Sequence, residues 1–323
     1  MNIHVSARIE RREQDIDPVF ARDAISGLNQ QPKVISPKYF YDETGSHLFE
    51  EITRLPEYYP TRTELRILRD HGANIASSIP ENAALVEFGA GATTKIRLLL
   101  ETCRFGAYVP VDISGDFLAA QADTLRMDYP HLEIYPVAAD FTRLFQLPRQ
   151  IQNRPKVGFF PGSTIGNFDP MDAESFLRSA RVILGDGATM IVGVDLEKDE
   201  STLRAAYNDA SGVTAKFNLN LLQRMNRELG ANFDPATFDH RAIYNRRLHR
   251  IEMHLISRTA HAVRMLGRTF SFRTDESIHT ESSYKYSVPR FQELARRAGW
   301  SPDKVWADAQ DMFSVHALRA GAV

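Results

Sequence analysis

Hydrophobic positions along the chain follow two periods in turn. Short apolar runs at 85–86, 107–111, 134–138, 156–160 and 189–194 read as buried strands. Between them, apolar residues recur every three or four positions over 95–100, 115–129 and 170–184, which predicts helices. Repeated strand–helix units imply a parallel sheet covered on both faces. After Asp195 the alternation stops. Residues 199–208 and 215–229 read as helices, and 232–240 as a polar bridge. Residues 249–258 alternate as a strand through Ile251, Met253 and Leu255, and 262–266 stay β-like. A helix over 288–299, with Pro289 in its first turn, precedes two last strands at 304–307 and 313–318. The fold class predicted is α/β, with residues 62–200 plus 285–323 forming the sheet domain. Residues 1–61 plus 201–284 form a second, α+β domain.

The region ahead of the sheet has its own pattern. Residues 15–28 have helical spacing, and 30–37 read as a connector. Tyr39, Phe40 and Tyr41 precede a turn at Thr44-Gly45, with Ser46 as cap of a helix carrying Leu48, Phe49 and Ile52. Pro56 and Pro60 hold the next piece out of helix and aim Tyr58 and Tyr59. Thr61 to Glu64 fits a capping box that opens a helix running to residue 79. The aromatic density suits a pocket wall, and plain packing accounts for it equally well.

Residues 85–95, LVEFGAGATTK, join a strand to a helix through Gly89 and Gly91. Such a loop brings backbone N–H groups close to a nucleotide cofactor. The dinucleotide fingerprint wants a third glycine, and Thr94 stands there. Glu87, two residues before the first glycine, suits S-adenosylmethionine better, and an ordinary tight βα turn is the plain alternative. Acids at later strand ends weigh against coincidence. Glu87, Asp112, Asp140 and Asp195 all fall where an open α/β sheet binds its ligand. Asp112 has the spacing of an acid that hydrogen-bonds ribose hydroxyls. Asp140 with Phe141 suits an adenine, the carboxylate accepting from the amine and the ring packing on the base. Any one of these acids alone reads as a helix cap.

Composition narrows the classes. The chain has 323 residues, 43% hydrophobic and 25% charged, which suits one large domain or two ordinary ones. A formal net charge of -2 with no basic run argues against nucleic acid as substrate. The single cysteine, Cys103, excludes an intrachain disulfide and suits the cytoplasm, and it reads as a packed thiol. Residues 1–12 lack the apolar core of a secretory leader, and no run is long enough to span a membrane. The ten histidines show no ligand spacing with a second acid or cysteine, so no metal is expected.

Several uncommon runs together carry a resemblance. They are YFYD at 39–42, LPEYYPTR at 55–62, EFGAG at 87–91, GSTIGN at 162–167 and IEM at 251–253. From about Pro37 to the C-terminus the chain resembles the L-histidine Nα-methyltransferases of ergothioneine biosynthesis. The resemblance implies a class I S-adenosylmethionine-dependent methyltransferase sheet of the Rossmann-like kind, with a second, substrate-binding domain. It implies three methyl transfers to the α-amine of L-histidine, giving hercynine, by a monomer that needs no metal. Gly89, Lys95, Asp112, Asp140 and Phe141 would bind S-adenosylmethionine. Tyr58, Asn167 and Tyr207 would hold the carboxylate and amine of histidine and of its mono- and dimethyl forms. Glu281 and Ser283 would hold the imidazole, with Met253 lining the pocket and Tyr41 near the amine. Tyr41 and Asn167 would act on the amine's lone pair and proton. Ala90 stands where relatives often have Ser.

Three other readings compete. A related enzyme acting on a different amino acid or an indole amine would keep the scaffold and change the pocket. A nucleic-acid methyltransferase would need a basic aromatic groove. A non-enzymatic cofactor sensor would not need Tyr58, Asn167 and Glu281, and all three are present.

Overall fold

The computed structural model describes residues 16–91 and 93–321. Residues 1–12, read above for a leader, lie outside them. In chain order the strands are β1 (Lys33–Val34), β2 (Ala84–Phe88), β3 (Ala107–Asp112), β4 (Glu133–Ile134), β5 (Val137–Ala138), β6 (Lys156–Phe160) and β7 (Thr189–Asp195). They continue as β8 (Phe238–Asn245), β9 (Arg250–Ser257), β10 (His261–Met265), β11 (Arg268–Phe272), β12 (Ser277–Tyr284), β13 (Trp300–Ala307) and β14 (Phe313–Ala320). The chain divides into two compact units, 1–58 with 199–282 and 59–198 with 283–323.

The second unit is built on one sheet, ordered β13-β14-β7-β6-β2-β3-β4, with β5 also pairing β3. Pairs from β7 to β4 are parallel, and β14 runs antiparallel to both β7 and β13. Every residue of β2 and β7 is buried. That accounts for apolar runs without alternation, since helices cover both faces. Ala84, Val86 and Phe88 face a cluster with Phe176, Leu177, Phe291 and Leu294, from helices Pro170–Leu184 and Val288–Arg297. Leu85 faces the opposite cluster with Ile67, Ile96, Leu99 and Leu125. The parallel order puts the C-terminal ends of β2, β3, β6 and β7 on one edge, where a ligand site of such a sheet lies.

The first unit carries a four-stranded sheet, β1-β12-β9-β8, and the β10-β11 hairpin. Helix Val213–Leu229 packs on β8 and β9 and against helix Glu43–Arg54. Among the described residues, no helix is long and apolar enough to cross a membrane.

Four local expectations are corrected. Asp42, not Ser46, caps helix Glu43–Arg54, accepting from Gly45 N at 2.7 Å. The piece with two prolines is helical from Tyr59, since Pro60 sits in the first turn where its missing N–H costs nothing. Thr61 therefore lies inside the helix, and Glu64 turns away to Lys95 and Gly162 instead of closing a capping box. The polar bridge ends early, because β8 already begins at Phe238.

Candidate active site

The glycine loop follows β2. The N–H groups of Gly89 and Ala90 donate to Val111 O at 2.8 and 3.0 Å, which folds the loop over the end of β3. Gly89 has a φ of +74°, and a Cβ there would stand 3.1 Å from Cε1 of Phe141. The left-handed backbone favours glycine, and a side chain there would also have to push the Phe141 ring aside by a few tenths of an ångström. Gly91 is exposed, and a Cβ there would meet nothing within 4 Å. The chain itself does not need that second glycine, and the open space suits a ligand. Helix Thr94–Thr102 begins just beyond.

The acids gather at the same edge. Asp112 ends β3 in register with Ala138 of β5, and Ala139 N donates to Asp112 O at 2.9 Å. Asp140 therefore follows directly. Asp112 Oδ1 accepts from Ser114 N at 3.0 Å, and burial raises its pKa above the usual carboxylate value. Asp140 is exposed and accepts from Thr142 N and Oγ1 at 3.0 and 2.5 Å. Phe141 packs on Phe160 and Phe176, with centroids at 5.8 and 6.0 Å. Gly89, Asp112, Asp140 and Phe141 are thus neighbours, and neither Asp112 nor Asp140 caps a helix: each accepts from the N–H two residues on, and Ser114 stands at the N-cap of helix Gly115–Asp128.

Lys95 is placed differently. Its Nζ lies 2.6 Å from Glu64 Oε2, and that carboxylate also takes Gly162 N at 3.0 and 2.9 Å. Glu64, 1% exposed, so ties three segments together. The first acid of the loop, Glu87, is buried, with Tyr108 donating to it at 2.5 Å. Burial pushes its pKa up to about 7, against the Tyr108 hydrogen bond and the Lys95 charge, which lower it.

The GSTIGN run forms a 3-10 turn, Thr164–Asn167, at the end of β6. Gly162 and Ser163 both have positive φ, and Ser163 Oγ accepts from Asp195 N at 2.9 Å. A Cβ on Gly166 would stand 2.7 Å from Tyr284 O, so the turn is pressed against the strand that carries Ser283. Asn167, half-buried at its end, makes no side-chain hydrogen bond to another described residue.

Asp195 departs from the cofactor pattern. It is fully buried, and its carboxylate holds Lys198 Nζ at 2.6 Å, Lys285 Nζ at 2.7 Å and Tyr59 Oη at 2.8 and 2.9 Å. Burial would raise its pKa, and the two ammonium groups more than offset this and lower it. Lys285 also donates to Ser283 Oγ at 2.8 Å. Sequence reasoning missed this network. Its one signal was Lys285, the one charged residue between Glu281 and Arg290.

In the first unit, Tyr58 is 8% exposed and meets Tyr207 edge-on, with centroids at 6.2 Å. Phe49 links Tyr58 to Tyr41 through further edge contacts at 6.2 and 5.6 Å, and Phe217 backs Tyr41 at 5.9 Å. Phe217 escaped the sequence reading because its helix gave it a core role already. Met253 is buried, and its carbonyl accepts from Thr280 Oγ1 at 3.0 Å. Glu281 is half-buried beside Thr280. The structure brings Tyr41, Tyr58 and Tyr207 into one aromatic cluster, and Met253 and Glu281 onto neighbouring strands.

One set of metal-ligand types does come together, against the expectation from spacing. Donor atoms of Glu252, His254 and His279 lie within 4.8 Å of one another. The two rings stack at 4.9 Å and 24°, so their in-plane lone pairs run side by side instead of converging. Glu252 also accepts from Arg250 and Asn245 at 2.7 and 3.0 Å. Burial raises the Glu252 pKa, and hydrogen bonds from Arg250, Asn245 and His254 overcome it, leaving about 2. Burial lowers the pKa of both histidines. This is a hydrogen-bonded patch of uncharged imidazoles around an ionised acid.

Comparison with known proteins adds the following. A family profile described as histidine-specific methyltransferase, SAM-dependent, matches residues 20–320. A histidine N-alpha-methyltransferase of Mycobacterium tuberculosis is 39% identical over 301 residues, covering 91% of this chain and 92% of that protein. Ergothioneine biosynthesis protein 1 of Neurospora crassa is 28% identical, over 98% of this chain and 38% of that longer protein. A 4-dimethylallyltryptophan N-methyltransferase of Aspergillus fumigatus is 28% identical over 99% of each chain.

Proposed function

The chain belongs to the histidine-specific, S-adenosylmethionine-dependent methyltransferase family, and on that premise we propose that it trimethylates the α-amine of L-histidine to hercynine, opening ergothioneine biosynthesis. Its sheet is that of a class I methyltransferase. S-adenosylmethionine, when bound, supplies a methyl group on a sulfonium. The residues present fit it: the left-handed Gly89 turn is crowded against Phe141, and Gly91 leaves open space beside it. Asp112 would take the ribose hydroxyls. Asp140 and Phe141 would take the adenine, with Lys95 alongside.

Tyr58, Asn167 and Tyr207 would hold the amino acid's carboxylate and amine. Met253 would line the pocket. Glu281 and Ser283 would hold the imidazole. Only a neutral amine has a lone pair, and a free α-amine has a reference pKa of about 7.7–8.0. An aromatic surround lowers that value by desolvation. Tyr41 is 46% exposed, which suits a hydroxyl that orients the lone pair and passes the proton to water. Alignment of the amine alone can supply roughly 7–11 kcal/mol of the barrier.

The observation that carries the reading is the Tyr58–Tyr207 pair, brought ring to ring from distant parts of the chain. The test incubates the protein with S-adenosylmethionine and a panel of amino acids, tryptophan derivatives included. A mass gain of three methyl groups on histidine alone supports the proposal. Preferred methylation of an indole amine would place the chain with its dimethylallyltryptophan-methylating relatives instead.

A further inference from the structure

Tyr207 is the C-cap of helix Glu200–Ala206. The last carbonyls of a helix have no partner within it. That of Tyr207 accepts from Nε2 of His240, on β8, at 2.8 Å. On the far side of the ring, Nδ1 lies 2.9 Å from Nδ2 of Asn218, a fully buried residue of helix Val213–Leu229. The same Nδ2 donates to the carbonyl of His254, on β9, at 3.2 Å.

These contacts fix where the protons are. A carbonyl only accepts, so the end of the Asn218 amide that faces His254 is its NH2, whose second hydrogen is left for Nδ1 of His240. Nδ1 is then the acceptor, and Nε2 carries the ring's one proton, as the Tyr207 carbonyl requires. An imidazolium would set a second N–H against the amide hydrogens. Burial also lowers the His240 pKa, against the Tyr207 hydrogen bond, which raises it. The ring is a neutral donor of fixed direction, oriented from β9 through Asn218. We propose that His240 is a positioning residue, holding the main chain of Tyr207 through Nε2–H and so placing that tyrosine for the amino-acid substrate. The proposal rests on the reading that Tyr207 meets the substrate.

The test is the affinity of L-histidine for the protein saturated with S-adenosylhomocysteine, by calorimetry. His240→Asn ends at the level of Nδ1, so it keeps a partner for Asn218 and loses Tyr207. His240→Gln reaches the level of Nε2 and keeps an N–H for Tyr207. His240→Asn should weaken histidine binding about tenfold, and His240→Gln should stay within about threefold of wild type. Unchanged affinity for S-adenosylhomocysteine marks each variant as folded. Tyr207→Phe separates the two layers. It should weaken histidine binding itself, and adding His240→Asn to it should cost less than about twofold more, because both act through one residue. If Tyr207→Phe binds histidine as wild type does, the reading of Tyr207 as a substrate contact fails. If Tyr207→Phe weakens binding while folded His240→Asn does not, or if the two losses multiply in the double variant, the tyrosine reading stands and the role of His240 is overturned. Should His240→Asn not fold, Asn218→Leu removes the donor that orients the ring and takes its place in each comparison. Heteronuclear NMR of the imidazole nitrogens in wild-type protein should show His240 with its proton on Nε2 and Nδ1 bare. A proton on Nδ1 would overturn the proposal without any variant.

Discussion

Replacing Glu87 by Gln should flatten the pH dependence of stability. Glu87 is 3% exposed at the end of β2, under the glycine loop. Its carboxyl titrates at about 7 in the folded chain, against an ordinary value of 4.5. Between these values the folded chain holds a proton that the unfolded chain has released. Stability is therefore fully present below about 4.5 and falls as pH rises toward 7. A gap of roughly 2.5 units, at 1.36 kcal/mol each, makes the loss about 3 kcal/mol. Gln keeps an oxygen to accept from Tyr108 and removes the titration, though its amide requires new partners. The slope is thus the quantity to compare, not the level. Urea unfolding at a series of pH values from about 4 to 8 measures it. The wild-type curve should descend about 3 kcal/mol more steeply than that of Glu87→Gln. Parallel curves would show that Glu87 is ionised in the folded chain throughout, and would refute the reasoning.

Gly89→Ala forces a left-handed alanine against Phe141, a cost of about 1–2 kcal/mol that should weaken S-adenosylhomocysteine binding about tenfold by calorimetry. Gly91→Ala has neither obstacle within the chain, so its melting temperature should match wild type even where ligand affinity falls. Glu64→Ala strands Lys95 and the Gly162 N–H together and should cost about 3 kcal/mol in urea unfolding. Glu281→Ala should lose preference for histidine over phenylalanine by about ten- to hundred-fold while S-adenosylhomocysteine still binds, as competition assays would show.

Legibility in the sequence followed distance along the chain. The sheet was readable because each strand and helix announces itself within a few residues, and the cofactor edge followed from it. Asp112 ends a strand, Gly89 and Asp140 lie one and two residues past strand ends, and parallel order alone makes such ends neighbours. The aromatic cluster was half readable. Tyr41, Tyr58 and Tyr207 stood out as candidates, whereas Phe217 looked like ordinary core. The ion networks were not readable. Glu64 fitted a local capping pattern that tertiary partners overrode, and Asp195 looked like one more acid at a strand end. Its partners Tyr59 and Lys285 are far from it in sequence, and no periodicity marks a charge that is buried because another is buried beside it.

The most direct test of the central claim is proton NMR of the product made from L-histidine and excess S-adenosylmethionine. A single trimethylammonium resonance coupled in space to the α-proton, with both imidazole C–H signals unshifted by ring methylation, is the predicted result. Methyl signals on the imidazole, or none on histidine at all, would contradict it.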